Sequence, residues 1–305
     1  MKILIVGAGA VGSYFGARLQ EKGEDVTFLV REKKKEILDQ KGLVIESVHG
    51  DIQCKPTTIR AGMNPEPYDV IILTTKAYHI HDAITDIKPY VGESTMILPL
   101  LNGISHVNLL TNSFSDHNVI GGLCFIESTL APNGHTVQSS PIHELVFGER
   151  SGEKTTRILQ LQKAFSDTKA EFRLSENIEQ DMWQKYLFIT TLSGVTSLFR
   201  SPIGPILTSE HGTETIKQVL FETATIMRNL HAPILSDIEK IQFDKIKQMD
   251  FTMKSSLQRD MEKTQAIEAD HLYGYLIEAA KQHSIDTPIL SMIYANLKIY
   301  ESIIS

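Results

Sequence analysis

Lys2-Ile3-Leu4-Ile5-Val6-Gly7-Ala8-Gly9-Ala10-Val11-Gly12 opens the chain with an apolar run that ends in three glycines spaced as G-x-G-x-x-G. The setting makes the pattern informative. Residues 2–6 read as a strand, and residues 11–22 read as a helix with Val11, Phe15 and Leu19 on one face and Gly23 as its stop. In that setting Gly7 permits a tight turn, Gly9 lets the backbone approach a pyrophosphate, and Gly12 lets helix and strand pack closely. Gly7, Ala8, Gly9, Ala10, Val11 and Gly12 are therefore the expected cofactor-binding turn, with the helix N-terminus facing the phosphate charge.

The next strand, expected at 26–30, ends just before Arg31. A site that prefers NAD commonly carries an acidic residue there for the ribose hydroxyls. A guanidinium suits a 2′-phosphate instead, and Lys33, Lys34 and Lys35 add positive potential, so NADPH (as NADP+ when oxidised) is the expected cofactor. Glu32 leaves a ribose-binding alternative open, and a short basic run also reads as a solvated helix start.

Outward from this unit, strands are expected at 69–74, 95–100 and 117–121, with a looser hairpin across 44–58 and a helix at 155–168. Short β-rich runs alternating with helices predict an α/β domain with a parallel sheet. Beyond residue 172 helical periodicity takes over, at 178–198, 213–230, 235–249, 260–283 and 288–301. Start signals are Asn177 with Gln180, Ser236, and Thr287 before Pro288. The expected division is 1–172 and 173–305, the second part all-helical. Lys76, Asn102 and the pair Gly121-Gly122 each follow an expected strand, at the carboxyl edge where open parallel sheets bind ligands.

The 305 residues, 42% hydrophobic and 22% charged, exclude disorder and coiled coil. A net charge of −7 without a long basic block argues against nucleic acid or an anionic membrane as partner. The apolar runs fall short of the roughly 18–20 residues of a membrane span, and the start of the chain holds no signal core, so a cytoplasmic protein is expected. Cys54 and Cys124 have no paired spacing, so both are expected to be reduced and no metal site is expected. Apolar helices of the second half offer contact surfaces for a homodimer.

In the helical half, Asp181-Met182-Trp183-Gln184-Lys185-Tyr186 places a lysine directly before an apolar run. Burial there would lower its pKa toward the range that suits proton donation; a lysine reaching solvent from a half-exposed helix is the alternative. Glu268 and His271 share one helix face, with no third residue at a metal-ligand spacing.

Taken together, Gly7 to Gly12 with Arg31, Thr75-Lys76-Ala77, Leu101-Asn102-Gly103, Phe147-Gly148-Glu149, Trp183 with Lys185, Ser255-Ser256-Leu257-Gln258-Arg259-Asp260, and Glu268 with Asp270 and Gly274 resemble the ketopantoate (2-dehydropantoate) 2-reductase family, nearly end to end. The resemblance implies an N-terminal Rossmann-type doubly wound sheet with an all-helical C-terminal domain, and NADPH-dependent reduction of ketopantoate to pantoate in pantothenate biosynthesis. It also implies Lys185 as the general acid and Glu268 as a substrate-orienting carboxylate. Ser256 would contact the substrate carboxylate, with Asn102 and Lys76 beside the nicotinamide and the reacting groups. The family pattern has asparagines where this chain carries Ile189, Ser193, Ile203 and Met253. A pocket that hydrogen-bonds a hydroxyl discriminates by those bonds, so these departures leave the reaction type and open the identity of the small 2-oxoacid. A non-catalytic NADP-binding sensor is the alternative of another class.

Overall fold

The computed structural model describes residues 1–304 and divides into two compact units, Met1–Leu101 with His106–Ile178, and Asn102–Ser105 with Glu179–Ser305. The first unit begins β1 (Lys2–Val6), α1 (Ala10–Lys22), β2 (Asp25–Leu29), α2 (Glu32–Lys41). It continues through β3 (Leu43–Ser47), β4 (Ile52–Cys54), β5 (Thr57–Ile59), β6 (Val70–Leu73), α3 (Ile80–Ile87), β7 (Met96–Pro99) and α4 (Ser105–Ser113). Five of its strands form a sheet in the order β5-β2-β1-β6-β7, every pairing parallel. Ile3, Ile5 and all four residues of β6 are buried, as strands covered on both faces must be. The chain winds outward from β1 through β2 and then returns to place β6 on β1's other side. The switch point, where such sheets bind ligands, therefore falls between β1 and β6.

A second, mixed sheet completes this unit. The loose 44–58 segment supplies the antiparallel pair β3 and β4, while β5 joins the first sheet instead. The strand expected at 117–121 is corrected: only Val119 bridges Ile97, and β8 (Gly121–Leu130) runs on as an antiparallel partner of β9 (Thr136–Gly148). Gly121 and Gly122 thus open a strand rather than a ligand loop. A side chain on Gly122 would overlap Leu98, and one on Gly121 would press into Ile178, so both glycines serve close packing. After α5 (Thr156–Phe165), β10 (Glu171–Leu174) pairs with β9. The expected boundary at 172 cuts through this strand; sheet pairing keeps the chain in the first unit until Ile178.

The second unit is helical: α6 (Ile178–Phe199), α7 (Ile203–Thr208), α8 (Gly212–Asn229), α9 (Ile238–Lys247), α10 (Ser256–Glu262), α11 (Tyr275–Gln282) and α12 (Pro288–Ile304). Its core is a cluster of its own that includes Tyr186, Leu187, Val195, Ile203, Leu220, Leu272, Tyr273 and Leu297. Two expectations change. Residues 260–283 are not one helix: α10 ends at Glu262, Thr264 adopts φ +54°, and a π-helical turn at Asp270–Gly274 precedes α11. Ser236 is not the start of its helix, since Asp237 occupies the N-cap and the Ser236 carbonyl accepts from Arg228. Among the described residues, no helix is long and apolar enough to cross a membrane, and no cluster of His, Cys, Asp or Glu could hold a metal ion.

Candidate active site

In the first unit the turn after β1 is built from backbone. Gly7 sits at φ +93°, a conformation that side chains rarely adopt, and its amide donates to the Leu29 carbonyl. Thr74, directly after β6, places its hydroxyl 2.9 Å from the carbonyl oxygens of both Val6 and Gly7 and so pins the turn to the switch point. A methyl group on Gly12 would overlap the Gly7 carbonyl and the Thr74 hydroxyl, which is why helix and strand can meet here only through glycine. Gly9 differs: it is the N-cap of α1, and a side chain there would meet no protein atom within 4 Å. The first helical bond runs from Ser13 N to Gly9 O, so the amides of residues 10–12 have no acceptor within the helix. Open space beside donors at a helix N-terminus suits a pyrophosphate. The Thr75 hydroxyl beside Gly7 is buried without a hydrogen-bond partner, a further polar group for a ligand to satisfy.

Arg31 caps α2 in extended conformation, its side chain 69% exposed and its Nη2 3.2 Å from His79 Nδ1 and 3.5 Å from Asp82. Glu32, the competing ribose ligand, has its carboxylate engaged by Arg60. The rest of the basic run divides. Lys35 is held by Asp39 and Thr58, and burial lowers the pKa of Lys34. Lys76, half-buried, precedes a single 3-10 turn at Ala77–His79 and follows β6 at the same sheet edge as the glycine turn.

In the second unit α6 carries Lys185, which is 8% exposed and followed by the buried Tyr186, Leu187 and Phe188. Ile189 and Ser193 lie one and two turns further along the same helix face. Two buried phenols tie α6 to the π-helical turn: Tyr186 donates to the Leu272 carbonyl at 2.6 Å, and Tyr273 donates to the Thr190 carbonyl at 2.8 Å. Burial raises both phenol pKa values, so each remains a donor. The Leu272 amide in turn donates to the Glu268 carbonyl, connecting that residue to Lys185 through one side chain and one turn. Asp270 belongs elsewhere. Although burial opposes it, bonds from Tyr294 and Lys298 hold its carboxyl below the usual range.

Asn102 follows β7 and groups with the helical unit, where its carbonyl accepts a 2.6 Å bond from His271 Nε2. Ser255 and Ser256 separate cleanly. Ser255 is the buried N-cap of α10, accepting from the Gln258 amide and bonded to Thr196 of α6, whereas Ser256 is exposed in the first turn. Ile203 donates through its amide to the Met253 carbonyl, and its side chain is fully buried in the unit's core. Glu149 of the Phe147-Gly148-Glu149 segment is structural: Arg157 grips both its oxygens at 2.7 Å, and Thr155 adds a third bond. Thr74, Tyr186, Tyr273 and the bonding role of His271 escaped the sequence reading, because each works through a contact distant in sequence.

Residues 3–152 match the family described as ketopantoate reductase PanE/ApbA, and residues 177–301 match its C-terminal counterpart. The chain is 47% identical over 302 residues, 99% of each chain, to the uncharacterized oxidoreductase YkpB of Bacillus subtilis (strain 168). Among solved structures, the 2-dehydropantoate 2-reductase of Geobacter metallireducens GS-15 superposes with a TM-score of 0.88 at 25% identity, covering 98% of this chain and 99% of that one. D-mandelate dehydrogenase, solved with NADH and anilino(oxo)acetate, shares the fold with a TM-score of 0.89 at 19% identity, covering 100% of this chain and 99% of its own.

Proposed function

The chain belongs to the ketopantoate reductase family of oxidoreductases, and from that premise we propose that it reduces a small 2-oxoacid with NADPH, ketopantoate being the first candidate. The observation that carries the reading is Lys185: a lysine residue only 8% exposed, on a helix bonded through Tyr186 to the π-helical turn whose Leu272 amide meets the Glu268 carbonyl. The cofactor supplies hydride to the 2-keto carbon. The protein must orient the acid and deliver a proton to the carbonyl oxygen as it gains charge. Lys185 is the general acid, and at low exposure its charge acts on the developing oxyanion with little screening by water. Glu268 orients the substrate, Ser256 meets its carboxylate from the open first turn of α10, and Asn102 and Lys76 stand beside the reacting groups. Gly7, Ala8, Gly9, Ala10, Val11 and Gly12 hold the pyrophosphate, and Arg31 turns from His79 and Asp82 to the 2′-phosphate.

A second reading keeps this chemistry and changes the substrate to a more apolar 2-oxoacid. Ile189, half-exposed one turn beyond Lys185, favours it, as does the commitment of Ile203 to the core where the family carries a polar residue. D-mandelate dehydrogenase shows that this fold accommodates an aromatic 2-oxoacid analogue. The test follows NADPH oxidation with ketopantoate beside a panel of linear, branched and aromatic 2-oxoacids, each repeated with NADH. Efficient turnover of ketopantoate supports the first reading, preference for an apolar acid the second. Silence across the panel would leave an NADP-binding sensor.

A further inference from the structure

One imidazole is bonded at both ring nitrogens to the segment that includes Asn102. His271, in the π-helical turn, has Nε2 2.6 Å from the Asn102 carbonyl oxygen and Nδ1 3.0 Å from the Ser105 hydroxyl. A carbonyl oxygen can only accept, so Nε2 carries a proton. In the neutral ring Nδ1 then offers a lone pair, and the Ser105 hydroxyl donates to it. Of the two neutral tautomers only the one protonated at Nε2 makes both bonds; the imidazolium would make them too, with Nδ1 donating to the Ser105 hydroxyl. Burial favours that neutral form, against the opposing influence of the Glu268 carboxylate and the Asn102 carbonyl. The ring also packs on Gly103, which sits at φ +84°; a side chain there would come within 3.0 Å of Nε2, so only glycine lets the imidazole reach past it.

The turn that carries His271 is itself fixed. Tyr186 and Tyr273 bond it to α6, the helix of Lys185, and the amide after His271 bonds the Glu268 carbonyl. We infer that His271 is a positioning residue, whose two ring nitrogens hold the Asn102–Ser105 segment in register with Lys185 and Glu268. The inference rests on the proposed reduction only in supposing that Asn102 acts beside the reacting groups. Its structural content stands apart from the substrate. A π-helical turn widens the helix by one residue and recurs at functional sites. Here it presents one side chain to the loop after β7 while its backbone remains bonded to α6.

The experiment compares the wild-type protein with His271→Phe and His271→Gln. Phenylalanine keeps a ring and removes both bonds, whereas the glutamine amide retains a donor for Asn102 and an acceptor for Ser105. With the best 2-oxoacid of the wild-type protein, His271→Phe is expected to lower kcat by about 10- to 100-fold, the scale of a small misplacement of an acting group, with KM little changed. His271→Gln is expected to recover most of that loss. Hydrogen exchange at the Gly103 and Ser105 amides should quicken in His271→Phe and stay slow in His271→Gln. Nitrogen-15 spectra of the wild-type histidines report the tautomer without any substrate and should show His271 protonated at Nε2 alone. Loss of the reading of function would appear as a wild-type protein silent on every 2-oxoacid with this tautomer intact. Full activity in His271→Phe, equal loss in both variants, or a neutral ring protonated at Nδ1 would each overturn the inference.

Discussion

In the proposed reaction the two units build their parts from different materials. The turn after β1 uses backbone: a glycine at φ +93°, a glycine with open space beside it, a glycine pressed against a carbonyl, and helix amides without acceptors. The Lys185 region uses side chains that reach across sequence, with Tyr186 bonded to Leu272, Tyr273 to Thr190, and His271 to Asn102. A backbone site tolerates most changes that keep its glycines. A side-chain site depends on every bond that holds its acting groups. Variants of each region should therefore fail in different ways: cofactor binding and packing in the first, turnover in the second.

The largest effect should come from Lys185→Ala. Turnover is expected to fall by at least about 100-fold, as for loss of a general acid, with NADPH binding little changed. Steady-state rates and a fluorescence titration of NADPH check it; unchanged turnover would remove the acid from the account. Gly12→Ala probes the other region. Its methyl has no room beside the Gly7 carbonyl, so the variant should lose about 1–3 kcal/mol of stability and bind cofactor weakly, read by denaturant unfolding and the same titration. Arg31→Ala should weaken NADPH by about tenfold, worth ~1.4 kcal/mol, and leave NADH nearly unaffected. Equal losses for both cofactors would end the phosphate assignment. Tyr273→Phe removes one buried bond to the Thr190 carbonyl and should cost about 1 kcal/mol of stability.

The smallest effect is a pH dependence in the first unit, away from both sites. Burial, then the charges of His49 and Arg18, hold His143 down to about 4, against an ordinary value of 6.5. The unfolded chain therefore binds the proton more readily. Stability should be full above pH 6.5 and decline as pH falls toward 4. His143 also meets the Tyr14 hydroxyl at 2.5 Å and stacks on His49. Urea midpoints measured across that range should slope less in His143→Asn; an unaltered slope would assign the dependence to other groups.

The glycine turn, the position of Arg31 directly before α2 and the change from mixed to helical structure were legible because they are local. A strand, three glycines and an amphipathic helix lie within 22 residues, and helical periodicity repeats through the second half. What stayed hidden depends on contacts far apart in the chain. The division at 172 failed because β10 pairs with β9 across some 27 positions, a bond that no window of sequence displays. The long helix expected at 260–283 breaks at Lys263-Thr264-Gln265, where neither Gly nor Pro marks the break. Ser255 and Ser256 look equivalent in sequence; Ser255 caps the helix by accepting from the Gln258 amide and is bonded to Thr196, 59 positions away, whereas Ser256 is left open. Asn102 was legible as a residue that follows a strand at the sheet's carboxyl edge, but its bond to His271, 169 positions away, was not.

The most direct test of the central claim follows the hydride itself. NADPH deuterated at the transferable C4 position is incubated with the wild-type protein and each 2-oxoacid, and the 2-hydroxyacid product is analysed by mass spectrometry. One deuterium at C2 of the product, lost together with turnover in Lys185→Ala, is the predicted result. NADPH that binds tightly yet yields no deuterated product with any 2-oxoacid would contradict the account.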